Sequence, residues 1–150
     1  MKTILENTQK LLCDISGLKY VDENWGQLDD YSPHPPTQFP LVLIDVGTVA
    51  YSDIGIDRKS SPQNRQLATA TVVLSIANLK TTNTSARAPK TQKETAWSIW
   101  DIVENVHKTL HGKSAADNAG GFIRTAIRKV RRDDGIQLFE VTYSLGLSNV

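Results

Sequence analysis

Residues 66–79 read QLATATVVLSIANL, and this stretch decides the fold. Ala68, Ala70, Val72, Leu74 and Ile76 alternate with a second set that mixes Thr, Val, Ser and Ala. Alternation with a period of two is typical of a β-strand that turns one face to a core. Strands usually have roughly five or six residues, so a run of about 14 is long. The pattern therefore predicts a long strand in the body of a sheet.

Segments on the N-terminal side of this strand also read as extended. Residues 39–46, FPLVLIDV, are apolar on both faces, which predicts a strand in the interior of the sheet. Residues 48–56 predict a separate strand, and residues 18–21 a short extended segment. Two or three strands are thus expected before the second helix.

The C-terminal part of the chain predicts a β-hairpin. Residues 136–147 alternate clearly, and Asp133-Asp134-Gly135 just before them is a turn signal. Residues 122–132 fit a strand but also fit a helical stripe. We favour the strand, because the turn and the unambiguous partner strand follow at once.

Two segments, residues 3–16 and 90–111, predict amphipathic helices. Their apolar residues recur at spacings of three and four, which places them along one stripe. Each segment has capping-box spacing at its start and a glycine after its end: Thr3 with Glu6 and then Gly17, Thr91 with Glu94 and then Gly112. In the second helix we expect Trp100 in the core and Trp97 partly exposed.

The order of elements predicts the fold class α+β. We expect two helices packed on a mainly antiparallel sheet, in the order α-β-β-(β)-α-β-β. No linker divides the chain, so residues 1–150 are predicted to form one domain. Polar or proline-containing connections at about 22–38, 57–65 and 80–89 are expected to protrude.

Composition excludes several classes of protein. Of the 150 residues 39% are hydrophobic, which fits a globular domain. No apolar run approaches the roughly 18–20 residues that span a bilayer. The N-terminus, with Glu6 and Asn7, is too polar for a signal-peptide core, and the single Cys13 excludes an internal disulfide.

The net charge of the chain is +1, but the charge is unevenly distributed. Residues 1–75 carry a net charge of −3 and residues 76–150 a net charge of +4, which suits ion pairing within the chain or between copies.

No residue set predicts a catalytic, cofactor-binding or metal site. The glycine-rich phosphate and dinucleotide motifs and G-x-S-x-G are all missing from the sequence. His107 and His111 have zinc-ligand spacing, but Lys108 stands where a zincin has Glu. A small enzyme that uses His34, His107 or His111 stays open as an alternative.

One basic cluster is notable: Arg124, Arg128, Lys129, Arg131 and Arg132. On a strand, Arg124, Arg128 and Arg132 would share one face. A nucleic-acid-binding module is one interpretation, but no aromatic residue interleaves with the cluster to stack on bases. Two further interpretations stay open: pairing with an acidic surface of a neighbouring copy, for which Asp22–Asp30 is a candidate, and a strand whose charges are simply solvated.

Trp25, Asp29, Asp30 and Tyr31 lie in the first protruding loop. Trp25 suits an interface anchor, because aromatic residues dominate binding hot spots; alternatively it folds back over the sheet. Together with the tip of the second loop and the basic cluster, these residues give the candidate interface: Trp25, Asp29, Asp30, Tyr31, Arg58, Lys59, Arg124, Arg128, Arg131 and Arg132.

The layout resembles that of tail terminator and tail-completion (minor tail) proteins of tailed bacteriophages and prophages. The features that carry the resemblance are the helix from Ile4 to Ile15, the strands 39–44 and 68–76, the helix from Thr91 to Leu110 and the closing hairpin 134–145. The resemblance covers nearly the whole chain as a pattern of elements.

The resemblance implies an assembly role without catalysis. Such proteins form rings, expected to be hexameric, at the head-proximal end of the tail tube. They stop tube polymerisation and join the tube to the capsid connector. The implied partners are further copies of the chain, the tube protein and the head–tail connector, and no cofactor is implied. From the composition and the basic cluster, we expect no membrane partner and do not expect nucleic acid as a partner. The implied location is the bacterial cytoplasm during assembly and then the virion tail.

Overall fold

The computed structural model describes residues 1–80 and 82–149. Thr81, in the predicted loop 80–89, lies outside the described residues, as does Val150. The elements are α1 Lys2–Cys13, β1 Tyr20–Glu23, a 3-10 turn Gln27–Asp29, β2 Leu41–Ile56, β3 Asn64–Leu79, α2 Lys90–Leu110, β4 Ile123–Val130 and β5 Ile136–Ser148. The strand order is β1-β2-β3-β5-β4, with β1 parallel to β2 and the remaining pairs antiparallel. The predicted α+β class and the C-terminal hairpin are therefore confirmed.

The strand β3 lies at the centre of the sheet, as its pattern predicts. Its alternating residues Ala70, Val72, Leu74 and Ile76 are fully buried. The apolar stripes of both helices cover this face, and they belong to the same core cluster. Burying one aliphatic side chain contributes about 1.5–3 kcal/mol, so this helix-covered face dominates stability.

The opposite face of the sheet is covered only at one end. There Leu41, Leu43 and Leu138 form a second buried cluster. Leu28 and Phe39, from the connection between β1 and β2, pack against it. The connection at 22–38, which was predicted to protrude, therefore packs in part against the sheet.

Two local predictions about strands and helix ends are wrong. Residues 39–46 and 48–56 do not form separate strands, because β2 runs continuously and accommodates the break as a register shift between Val46 and Val49.

The predicted capping boxes do not form either. Both helices begin before the predicted threonines, with Met1 and Pro89 at the cap positions, and neither has a side-chain cap hydrogen bond.

Trp100 differs from the prediction that it lies in the core. Trp100 is 46% exposed, because it lies at the margin of the apolar stripe of α2. Its ring contacts Phe139, with the two ring centroids 4.4 Å apart. Trp97 is 49% exposed, which confirms its predicted partial exposure.

A close backbone crossing joins the end of α2 to the start of β4. The Gly112 N–H donates to the Phe122 carbonyl at 2.9 Å, and the Phe122 N–H donates to the Lys113 carbonyl at 3.0 Å. Phe122 is fully buried between these bonds. A Cβ on Gly121 would lie 2.7 Å from the Gly112 carbonyl oxygen, so the crossing requires glycine there.

We predict that Gly121→Ala destabilises the fold, because backbone atoms of Gly112 must move to admit the methyl group. Overpacking of this kind costs about 1–3 kcal/mol. Urea unfolding should show the loss of stability. Gly120→Ala is the matched control, because its nearest neighbour is 3.7 Å away. Equal stability of the two variants would show that the crossing is not tight.

Candidate interaction surfaces

A buried glutamine orders the acidic connection after β1. Gln27 is fully buried. Its Nε2 donates to the Glu23 carbonyl at 2.8 Å, and its Oε1 accepts the Trp25 N–H at 2.9 Å. A buried amide with both ends bonded holds a loop that lacks regular structure. The sequence carries no signal for this residue, because a polar residue in a polar loop predicts exposure.

Asp22 collects hydrogen bonds beside this glutamine. Tyr20 donates its hydroxyl at 2.7 Å and Trp25 its indole N–H at 3.3 Å. Burial by itself would raise the pKa of Asp22, but these donors and the Glu23 amide outweigh it and lower the pKa. Trp25 nevertheless stays 61% exposed. The alternative that its ring folds back over the sheet is therefore wrong, and its role as an interface anchor stays a prediction.

Arg132 ties the same connection to the C-terminal hairpin. Its guanidinium donates to Asp134 at 2.6–3.2 Å, to Asp29 at 2.8 Å and to the Leu28 carbonyl at 3.2 Å. The Tyr31 hydroxyl lies 3.3 Å away. The hydrogen bonds from Arg132 are the first cause that lowers the pKa of Asp134. Asp134 also raises the pKa of Arg132, against the opposing effect of burial.

This network pairs the acidic half of the chain with the basic half internally. Asp29 and Arg132 form an ion pair at 2.8 Å within one molecule, so this pair does not need a neighbouring copy. Asp30 instead accepts the Ser32 N–H, which lowers its pKa. Arg131 is exposed and has no ion pair or hydrogen bond in residues 1–80 and 82–149.

The prediction that Arg124, Arg128 and Arg132 share one face is wrong. A register shift between Arg124 and Ala126 reverses the alternation of β4. Arg124 therefore lies opposite Tyr143 on the helix side and pairs with Glu104 of α2 at 3.4 Å. Arg128 lies opposite Glu140 on the other face and pairs with it. Nothing in the sequence predicted this bulge.

The hairpin of β2 and β3 extends beyond the rest of the sheet. We call residues 50–67 the arm, and none of them is buried. The third strand, β5, reaches only to Leu67, where Ser148 pairs with it. Arg58 and Lys59 lie at the tip of the arm. Asp57 orders the tip: its carboxylate accepts the Lys59 N–H at 3.0 Å and the Ser60 hydroxyl at 2.8 Å.

Exposed large apolar side chains concentrate on opposite sides of the molecule. On the arm these are Tyr51, Ile54, Ile56 and Leu67. On the side formed by α2 and β4 they are Trp97, Trp100, Ile123 and Ile127. Apolar side chains gathered on a surface mark sites of association. The sequence predicted exposure of only one of these residues, Trp97.

The two histidines of α2 adjoin a buried tyrosine. The rings of His107 and His111 lie 4.6 Å apart, and His107 Nδ1 lies 3.5 Å from the Tyr143 hydroxyl. Burial, followed by the charges of Arg124 and His111, lowers the pKa of His107. Burial raises the pKa of Tyr143 to about 12. Within the described part of the chain, no group of three or more His, Cys, Asp or Glu side chains is placed to hold a metal ion.

No protein-family model and no curated protein sequence matches this chain. Among solved structures, the chain is similar to one from a "Virion of native gene transfer agent (GTA) particle", with a TM-score of 0.55. The match covers 96% of this chain and 93% of that chain at 11% sequence identity. At this identity the similarity shows a shared fold. None of the described helices is long and apolar enough to cross a membrane.

We predict that Arg132→Ala releases the connection between β1 and β2 from the sheet. The guanidinium is only 14% exposed, and its loss leaves Asp134 without its main donor. Losing hydrogen bonds of this charged kind costs about 2 kcal/mol. Urea unfolding should measure the loss, and amide exchange should accelerate in residues 24–39. Arg131→Ala, a neighbouring exposed arginine, is the control. If Arg132→Ala and Arg131→Ala show the same stability and the same exchange rates in residues 24–39, Arg132 does not anchor the connection between β1 and β2.

Proposed function

We propose that this chain is a structural protein of a phage-like virion. Within that class, we propose a ring-forming tail terminator or tail-completion protein, which caps the tail tube and joins it to the head connector. The fold shared with a gene transfer agent virion chain carries the proposal, since it extends over nearly the full length of both chains.

Two features of the surface support an assembly role. The outer edge of β2 beyond Ile44 and the outer edge of β4 have no strand partner in the described residues. Unpaired edges are templates for association that proteins cover or use. Contacts between unlike surfaces of identical subunits build a ring when the rotation closes. Such a ring stops growth of the tube by shape alone, without chemistry.

The predicted interface residues divide into three groups after the fold is known. Asp29, Tyr31 and Arg132 hold the loop in place within the chain. Trp25, Asp30, Arg58, Lys59 and Arg131 remain exposed or at the loop surface and are the ones we propose for contacts with the tube or the connector. Arg124 and Arg128 are paired with Glu104 and Glu140, which leaves less free positive charge for binding nucleic acid.

We predict that particles made without this chain have defective tails. In a phage or prophage whose gene for it is deleted, tubes should exceed the normal length, or tails should fail to join heads, because nothing caps the tube. Electron microscopy of the lysate measures tube length and the fraction of joined particles. The wild-type gene supplied in trans is the positive control.

A triple variant His34→Ala, His107→Ala, His111→Ala separates assembly from the enzyme alternative. We expect it to restore normal tails if it folds as judged by circular dichroism, because assembly does not use an imidazole. Normal tails in the complete absence of the chain would refute the proposed function. Failure of the folded triple variant alone would favour an activity of the histidines.

A further inference from the structure

Two imidazoles meet at the C-terminal end of α2. His107 lies in the last turn of the helix, and His111 is its C-cap. The His111 N–H donates to the His107 carbonyl at 2.9 Å, so the helical spacing of four residues is kept across this end. Side chains four residues apart on a helix lie on the same face. The two ring centroids are accordingly 4.6 Å apart.

This separation falls within the range that a shared metal ion requires. A metal ion lies about 2.0–2.1 Å from an imidazole nitrogen, and therefore about 3.2 Å from the ring centroid. Two imidazoles at about 90–109° around one ion then have their centroids about 4.5–5.2 Å apart. The observed 4.6 Å lies at the 90° end of this range. An angle near 90° is typical of Cu²⁺ and Ni²⁺, whereas Zn²⁺ prefers the wider tetrahedral angle.

Tyr143 orients the first imidazole from the interior of the fold. Tyr143 is fully buried, and its hydroxyl lies 3.5 Å from His107 Nδ1. Because Nδ1 faces the sheet, Nε2 is the nitrogen left for a metal ion. Histidines that bind metals commonly have their second ring nitrogen bonded in this way, which fixes the ring. His111 is exposed, so its ring is free to turn toward the same ion.

The charges around the two imidazoles are balanced. Burial, followed by the charges of Arg124 and His111, lowers the pKa of His107. This imidazole is therefore neutral near pH 7, which is the form that binds metal. Arg124 of β4 opposes a cation, but its guanidinium pairs with Glu104 at 3.4 Å. The charge of Glu104 acts on His107 with the opposite sign, so the two effects offset each other in part.

We propose that His107 and His111 form a binding site for one Cu²⁺ or Ni²⁺ ion. The imidazoles supply two ligands, and water completes the coordination of the ion. A site with two protein ligands exchanges its metal, unlike a closed structural site with four. The bound ion fastens His111 to the last turn of α2, next to the bridge between His111 and Phe122. This site goes beyond the proposed function and does not rest on it.

Isothermal titration calorimetry with NiCl₂ tests the site on the full chain, prepared without a histidine tag. At pH 7.5 we expect one Ni²⁺ per chain. Loss of a group that only supports a ligand costs about 10–100-fold in affinity, so loss of the ligand itself in His111→Gln should weaken binding at least about tenfold. His107→Gln should show the same loss, so the result does not depend on how one variant folds. His34→Gln, which alters a histidine outside the site, is the matched control and should bind like the parent.

Two further measurements report the ligands directly. With one equivalent of CuCl₂, electron paramagnetic resonance should show coupling to two nitrogens in the parent and to one in His111→Gln. At pH 5 the parent should bind Ni²⁺ at least about tenfold more weakly, because protons compete for the imidazole nitrogens. MgCl₂ should produce no binding heat at this site, since Mg²⁺ prefers oxygen ligands.

Three results would overturn the metal site. They are a parent that binds no Ni²⁺ up to about 1 mM, equal affinities of the parent and the His107→Gln and His111→Gln variants, and a loss in His34→Gln as large as that in His111→Gln. Each leaves the deletion phenotype of the proposed function unaffected, so the two ideas fail separately.

Discussion

Burial of one face of β3 beneath two helices is the interaction on which the rest of the structure depends. Val72, Leu74 and Ile76 lie at its centre, and the neighbouring strands take their register from this strand. Because β3 is longer than the helices cover, its first residues extend past the core together with the end of β2. The arm is therefore a direct consequence of a strand that continues beyond its hydrophobic support.

A second constraint is electrostatic and acts at the other end of the sheet. Arg132 holds Asp29 and Asp134 together and so fastens a proline-containing connection over Leu41 and Leu138. A guanidinium is suited to this, since its planar set of donors reaches several acceptors at once. The ion pairs of this network neutralise Asp29 and Arg132, two charged residues that the sequence analysis assigned to contacts with a partner. Internal ion pairing therefore determines which charged side chains stay free to contact other molecules.

The surfaces left after these two constraints are the ones on which our proposal of an assembly role depends. Many of the exposed large apolar residues lie on the arm or on the side formed by α2 and β4, and the arm carries both acidic and basic side chains. His107 and Tyr143 adjoin each other, yet burial keeps the histidine pKa low and the tyrosine pKa high, which favours the neutral form of both groups near neutral pH.

Local pattern by itself determined the α+β class, the two helices, the long central strand and the C-terminal hairpin, because periodicity of two or 3.6 follows directly from backbone geometry. Tertiary structure alone decided the bulges, since a one-residue shift such as that after Arg124 reverses every following side chain without changing the apolar pattern. It also decided the burial of Gln27, the exposure of Trp100 and the partners of Arg132. The Leu28 carbonyl that accepts from Arg132, for example, lies 104 residues away along the chain, and packing of the whole core decides which segments meet in this way.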